Sequence, residues 1–119
     1  MTGEPARVVQ IVFLKVFLPD RPERTAGVFL VEQATGNLSF RIREDWDRIA
    51  DPVDAELLSA VAEDVRNRLG ELGEGGGAEF LRLLEDQLSN VLRLSERREM
   101  TISNIASALD VLFDENCRN

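Results

Sequence analysis

The chain contains no histidine and no tyrosine, and it has a single cysteine among its 119 residues. Histidine is the commonest general base and metal ligand near neutral pH, so its absence removes both roles at once. Ser-His-Asp and Cys-His catalytic groups and histidine-containing zinc sites are therefore excluded. Cys117 cannot form a disulfide within the chain, so a reducing, cytoplasmic location is expected.

Long hydrophobic runs are also missing from the sequence. No apolar stretch reaches the roughly 18 residues that a membrane-spanning helix needs. The first residues show neither the basic start nor the small-residue cleavage site of a signal peptide. These absences agree with a cytoplasmic protein that has no membrane partner.

Acidic residues outnumber basic ones, 22 to 14, which gives a formal net charge of -8. The first 50 residues hold seven of each sign, so the whole excess lies in the remainder of the chain. Most of it falls in residues 51–92, where ten acids stand against three bases. Because phosphates attract Lys and Arg, this balance argues against nucleic-acid and anionic-membrane partners. It suits a basic protein partner, and its alternative role is solubility alone.

The first part of the chain has the composition and alternation of β-strands. Three strands are predicted, over residues 7–18, 25–31 and 38–43, which are rich in β-branched and aromatic side chains. Gly36 and Asn37 favour the positive φ of a hairpin turn between the second strand and the third. These segments predict a three-stranded antiparallel β-meander.

The chain beyond the predicted meander (residues 7–43) shows the 3.6-residue spacing of amphipathic helices. Three helices are predicted, over residues 52–69, 78–94 and 103–116. Asp51 is placed to cap the first helix with its carboxylate. The sequence therefore predicts a single 119-residue α+β domain, in which a three-stranded antiparallel meander is followed by three helices packed on one face (βββααα).

The first two predicted strands are apolar on both faces, so a single layer of helices leaves part of the sheet uncovered. Phe29 and Val31, with alternate residues of the first strand, need a second cover. Two solutions remain open at this point. A second copy or a partner protein predicts a homodimer or a hetero-complex, whereas the third helix wrapping round to that side predicts neither.

Aromatic and arginine residues are the candidate binding residues, because Trp and Arg are enriched at interface hot spots. Trp46 follows the third predicted strand, and its alternative role is a buried plug at the corner between sheet and helix. Arginines on the polar face of that strand would form a basic patch with those just past the second helix, although cations there also suit a helix C-terminus. The predicted binding residues are Phe29, Trp46, Arg41, Arg43, Arg97 and Arg98.

Acidic side chains cluster between the third predicted strand and the first helix. Glu44, Asp45 and Asp47 offer oxygen ligands for a divalent cation, which makes a metal-dependent phosphodiester enzyme one alternative. The neighbouring arginines offer local ion pairing as the other interpretation, and the spacing lacks the pattern of an EF-hand loop. No catalytic residue, metal site or cofactor is therefore assigned.

Four segments carry a resemblance to known proteins: residues 23–30, 34–38, 43–46 and 84–90. They resemble a group of small uncharacterised bacterial proteins, which implies a bacterial source and a shared fold. The hairpin also resembles, more weakly, a family of unknown function encoded beside HipA-type kinases, which implies toxin–antitoxin or defence loci. The function predicted is a non-enzymatic, antitoxin-like interaction or regulatory subunit. The alternatives are the metal-dependent enzyme and a small nucleic-acid-binding protein that uses the arginines.

Overall fold

The computed structural model describes residues 6–19, 21–72, 75–88 and 91–117. It contains five strands, three α-helices and one short 3₁₀ helix, Trp46–Arg48. In chain order the strands and α-helices are β1 (Arg7–Val16), β2 (Arg24–Glu32), β3 (Leu38–Ile42), α1 (Pro52–Gly70), α2 (Gly77–Gln87), β4 (Leu92–Leu94), β5 (Arg98–Ile102) and α3 (Ile105–Cys117).

The sheet is built around β1, which is the longest strand at ten residues. β2 pairs along one side of β1, and β3 pairs with the far side of β2. The other side of β1 is shared, since β4 pairs with Leu14–Val16 and β5 pairs with its N-terminal half. All these pairs are antiparallel, so β1 and β2 are interior strands while β3, β4 and β5 form the edges.

The predicted meander is confirmed as the first three strands, but the sheet has five strands and not three. The predicted helix over residues 78–94 ends at Gln87, and Leu92–Leu94 is a strand instead. Residues 89 and 90 of that prediction lie outside the described residues. The Leu-Arg-Leu segment fits a helix as well as a strand, because three residues are too few to show a period.

The helix boundaries of α1 and α3 lie within two residues of the prediction. The predicted carboxylate cap of α1 does not form, because Asp51 Oδ1 accepts a hydrogen bond from Arg21 at 2.7 Å instead. Asp51 still begins the helix through its main-chain oxygen, which accepts from Ala55 N–H. Among the residues that the structure describes, no helix has both the length and the apolar content needed to cross a lipid bilayer.

The helices lie on both faces of the sheet, so the prediction that all three pack on one face is wrong. The larger core contains residues of α1, α2 and one face of the sheet, whereas a smaller core lies between the other face and α3. Side chains in the larger core include Val12, Leu14, Val16, Phe29, Trp46, Leu58, Val65, Leu81 and Leu84.

The smaller core explains why α3 lies on its own side. Val9 and Ile11 of β1 and Val28 and Leu30 of β2 are all buried there. Ile105, Ala108, Leu109, Leu112 and Phe113 of α3 pack against them. The apolar second face is thus covered by the third helix, so it gives no reason to invoke a second copy of the chain.

A glycine turn fixes α2 against the β2–β3 hairpin. Gly77 N–H donates to Gly36 O at 2.9 Å, and Gly75 N–H donates to Asn37 Oδ1 at the same distance. A Cβ atom at Gly77 would lie 2.7 Å from Gly36 O and 2.9 Å from Leu38 Cβ. No side chain fits there without moving the hairpin.

The substitution Gly77→Ala should therefore lower the free energy of unfolding by about 1–3 kcal/mol, the usual cost of overpacking. Gly70→Ala is the matched control, since a Cβ there meets nothing within 4 Å. That variant should be as stable as the original chain or slightly more stable, by about 0.5 kcal/mol, because alanine favours a helix. Urea denaturation followed by circular dichroism measures both, and equal midpoints for the two variants would contradict this packing.

Candidate functional site

Arg43 is a buried arginine just past the end of β3, with its side chain only 2% exposed. Its Nε and Nη2 donate to the two carboxylate oxygens of Asp45, at 2.8 and 3.1 Å, and its Nη1 donates to Thr25 O at 3.3 Å. Such a bidentate pair satisfies a guanidinium that would otherwise be costly to bury. The Arg43 side chain therefore makes its hydrogen bonds to residues of its own chain.

The same contact sets the ionisation of Asp45. The hydrogen bonds from Arg43 are the main cause that lowers the pKa of the Asp45 carboxyl, while partial burial acts in the opposite direction. The charges of Arg43 and Arg48 lower it further. Asp45 is therefore ionised at neutral pH and holds Arg43 in place.

Arg41 lies on the same face of β3 as Arg43 and links that face to α3. Its Nη1 donates to Asp110 Oδ1 at 2.6 Å, and its guanidinium lies 4.4 Å from the centre of the Phe113 ring. The ion pair is exposed and contributes little alone, but the stacking adds a cation–π contact of about 0.5–1 kcal/mol. Arg41 is thus engaged with α3.

Cys117 lies in the last turn of α3, against a shallow recess of about 320 Å³ that Arg41, Arg43 and Asp45 also line. Burial is the main cause that raises the pKa of the Cys117 thiol to about 11, although the nearby Arg43 charge lowers it somewhat. The thiol is therefore protonated at neutral pH and is a poor nucleophile. We interpret this cluster as a clamp between α3 and the sheet.

Two residues of the predicted acidic cluster, Asp45 and Glu44, form ion pairs with arginines. Asp45 is occupied by Arg43, and Glu44 lies 3.9 Å from Arg66. Within the described part of the chain, no group of three or more histidine, cysteine, aspartate and glutamate residues could hold a metal ion. Among those residues, nothing supports the alternative of a metal-dependent enzyme that uses Glu44, Asp45 and Asp47.

The two predicted aromatic binding residues lie in the larger core. Phe29 is completely buried, and Trp46 is 3% exposed in the short helix between β3 and α1. Trp46 thus occupies the corner between sheet and helix, which was its alternative role. Burial gives both residues a packing function, and a role in binding stays a prediction for them.

The four predicted arginines do not form one patch. Arg41 and Arg43 belong to the β3 edge, whereas Arg97 and Arg98 are exposed at the start of β5. The interior strands β1 and β2 separate these two edges, at a spacing of about 4.8 Å per strand. Arg97 and Arg98 are exposed without a described side-chain partner, whereas Arg41 is exposed but paired with Asp110.

The outer edge of β3 is obstructed at both ends. Arg66 of α1 donates from Nη2 to Ile42 O and Arg43 O, at 3.0 and 3.1 Å. At the other end, just before β3, Gly77 N–H donates a hydrogen bond to the carbonyl oxygen of Gly36. An incoming strand would have to displace these contacts to pair along the whole of β3, so this edge is partly protected, although the outward groups of Leu38 and Phe40 lie between them.

At the other side of the sheet, the main-chain groups of β1 show which residues of β5 face outward. Val8 O accepts from Gln33 N–H at 3.0 Å on the side of β2. Phe13 O accepts from Ser95 N–H at 2.8 Å on the side of β4 and β5. Because these groups alternate along an antiparallel strand, odd-numbered residues in the N-terminal half of β1 face β5.

This alternation shows that β5 has an open outer edge. Val9 lies opposite Met100 in the β1–β5 pair, so the main-chain groups of Met100 point inward to β1. Those of Glu99 and Thr101 consequently point away from the sheet. In the described residues, β1 is the single strand that pairs with β5, and Arg98 to Thr101 are all exposed.

A shallow groove of about 350 Å³ runs beside this edge, between β5 and the near flank of α3. Its apolar lining comes from Ile102, Ala108 and Val111. Met100 shares the α3 side of β5, and it is 40% exposed while Val111 is 53% exposed. Free hydrogen-bonding groups and uncovered apolar side chains thus occur together at one place.

β5 was missed as a strand because Arg98 and Glu99 interrupt its apolar pattern. The sequence does carry a weak signal, since Arg98, Met100 and Ile102 alternate with Glu99 and Thr101 as strand faces do. The groove itself depends on α3 folding back beside β5, which no local pattern reports.

A scan against protein-family models matches residues 19–116 to the family described as Protein of unknown function (DUF3037). The match covers most of the chain, and the chain belongs to this family. No curated protein and no solved structure matches it. The family description names no activity, so the predicted association with toxin–antitoxin or defence loci stays a prediction.

The clamp predicts an acid-dependent stability. A carboxyl whose folded pKa is lowered stabilises the fold above its unfolded pKa of about 3.9, and this contribution is lost as the pH falls through the folded value. Asp45→Asn should lower the free energy of unfolding at pH 7 by about 1–2 kcal/mol, a range discounted because Asp45 is partly exposed.

The difference between Asp45→Asn and the original chain should shrink as the pH falls below about 4. Urea denaturation at pH 7, 5 and 3 measures it. Asp47→Asn serves as control, since Asp47 is an exposed neighbour whose loss should leave stability within about 0.5 kcal/mol. A pH-independent loss in Asp45→Asn would count against the ionic clamp.

The raised pKa of Cys117 predicts a thiol that is protected in the folded chain. At pH 8 its reaction with a disulfide reagent such as DTNB should be about 100-fold slower, or more, than in 6 M guanidinium chloride, because little thiolate is present. Stopped-flow absorbance measures both rates. Comparable rates in the two conditions would show that the last turn of α3 does not pack as described.

Proposed function

We propose that this protein is a non-enzymatic interaction subunit, which binds an extended protein segment by adding it as a strand to β5. The observation that carries the proposal is the open edge of β5 beside an apolar groove. Strand addition is a common mode of peptide recognition, in which main-chain hydrogen bonds supply affinity and alternate side chains enter pockets.

The outward groups of β5 define what the segment must offer. Glu99 and Thr101 each present one N–H and one C=O, so an antiparallel segment completes four hydrogen bonds with them. Alternate side chains of that segment would lie against Met100, on the α3 side of β5, and against Val111 in the groove. Apolar residues at every second position of the ligand are therefore favoured.

Charged side chains on β5 make the edge selective. Arg97, Arg98 and Glu99 surround its first half, and Gln33 Nε2 holds Glu99 Oε2 at 2.9 Å. Natural sheets use such charges to prevent indiscriminate edge pairing. A segment that carries an acid opposite the arginines would be accepted, whereas a purely apolar or a basic segment would be disfavoured.

The acidic excess of the chain belongs to another surface. The segment that holds α1 and α2, residues 51–92, carries ten acids against three bases, and these helices lie on the opposite face of the sheet from α3. The groove is therefore not part of the strongly negative side. This separation supports binding at β5 without general repulsion of acidic segments.

Thr101→Pro tests the proposal, because proline removes the outward N–H and blocks close approach of a strand. The inward hydrogen bonds of β5 remain, since they come from Met100 and its even-numbered neighbours. Thr101→Val is the matched control, which keeps the N–H and favours a strand.

The immobilised chain should enrich extended peptides with alternating apolar residues from a display library of random linear peptides. Thr101→Pro should weaken the selected peptides by at least about tenfold, while Thr101→Val should bind them as the original chain does. Fluorescence anisotropy measures the affinities, with circular dichroism as a check on folding. If binding survives in Thr101→Pro, or if a chain that stays monomeric enriches nothing, strand addition at β5 is wrong.

A further inference from the structure

We infer that the open edge of β5 also pairs with β5 of a second copy, so that two chains join their sheets into one continuous antiparallel sheet. This inference rests on the proposed strand addition at β5 and names one occupant of that same edge. The second copy is favoured by the register and by the apolar Met100 at the centre of the edge, and the charge of the segment permits it.

The register follows from the outward groups. Two β5 strands related by a twofold axis must pair odd-numbered residues with each other, because Glu99 and Thr101 carry the free groups. An axis through Met100 places each Glu99 opposite the other copy's Thr101. The four outward N–H and C=O groups of each chain are then paired with those of the other. The inward bonds of Arg98, Met100 and Ile102 with β1 stay intact.

Neighbouring registers are less favourable. If the axis moves by one residue towards the start of β5, to Glu99, each Glu99 lies opposite Glu99 of the other copy. Like charges directly opposite each other destabilise a strand pair. Sliding the other way places Thr101 opposite Thr101 and leaves Glu99 facing Ser103, beyond the end of β5. The Met100-centred register is thus the one that combines full overlap with no opposed like charges.

The same axis covers the exposed apolar residues of the groove. Met100 would face Met100 of the other copy at a non-hydrogen-bonded position, where side chains are closest. α3 runs antiparallel to β5, since Asn116 shares a recess with Arg98 while Ala108 shares the groove with Ile102. The axis therefore brings the two α3 flanks, with their Val111 residues, towards each other.

Charge permits this contact despite the net charge of -8 on each chain. The edge segment, residues 97–104, contains two arginines and one glutamate, and the acidic helices α1 and α2 lie on the far face. α3 carries three acids and no base, so the arginines of the edge segment offset the acids that the two α3 flanks bring. Each chain contributes one five-residue strand and one helix flank, so the interface falls in the small size class. The expected dissociation constant is roughly 10–100 µM.

Sedimentation velocity between 5 and 500 µM tests the inference. The mass should rise with concentration from 13.3 kDa towards twice that value. Met100→Arg and Met100→Glu should each weaken dimerisation at least about tenfold, because like charges meet on the axis. An equimolar mixture of these two variants should dimerise again, since arginine then faces glutamate.

Val53→Arg is the control, because Val53 is exposed on α1, away from the β5 edge, and its replacement should leave dimerisation unchanged. Hydrogen exchange supplies a second measurement. The amides of Glu99 and Thr101 should become protected as the concentration rises, whereas the amide of Met100 should be protected throughout.

The possible failures can be told apart. A monomer at 500 µM whose peptide binding is still lost in Thr101→Pro would overturn the second-copy inference and leave strand addition standing, with a different protein as the occupant. A dimer that ignores the Met100 charges would overturn the inference, because it uses another surface. Absence of both the dimer and peptide binding would overturn both proposals.

Discussion

The fold depends on two adjacent strands that are apolar on both faces. Val9 and Ile11 of β1 are buried under α3, whereas Val12 and Leu14 of the same strand are buried under α1 and α2. A strand of this kind is stable only between two layers, because either uncovered face would expose a continuous apolar surface. The last helix, α3, therefore folds back across the sheet, and Arg41 at β3 holds it there through Asp110 and Phe113.

From the sequence, Arg41 and Arg43 are predicted to bind a partner because it does not show which residues of the same chain they contact in the fold. Asp110 is 69 residues away from Arg41 along the chain, and Arg43 is satisfied by Thr25 O as well as by its near neighbour Asp45. A buried guanidinium loses its hydration, so it is retained only where such partners are complete. Arg41 thus holds α3, and Arg43 holds the segment after β3, while Arg97 and Arg98 lie at the start of the edge strand.

Local patterns predicted the elements that are long and regular. The first three strands and α1 follow from alternation and from 3.6-residue spacing, and the two-sided apolar strands correctly indicated a need for a second cover. β4 has only three residues, too few to show a period, and Arg98 and Glu99 interrupt the apolar pattern of β5. Their pairing partner β1 lies 76–95 residues earlier. The groove beside β5 could not be predicted, because it requires the path of α3.

The difference between the two sheet edges limits what this fold can assemble. Arg66 and the glycine turn obstruct the edge at β3, whereas β5 is followed at once by α3, which leaves the edge for the face of the sheet. A sheet with two open edges would add copies without end and form fibres. In the proposed dimer, the second copy approaches through the same edge of β5 and uses up both, which would close the assembly at two chains. The obstruction of the β3 edge and the charges on the β5 edge would then limit further strand pairing and aggregation.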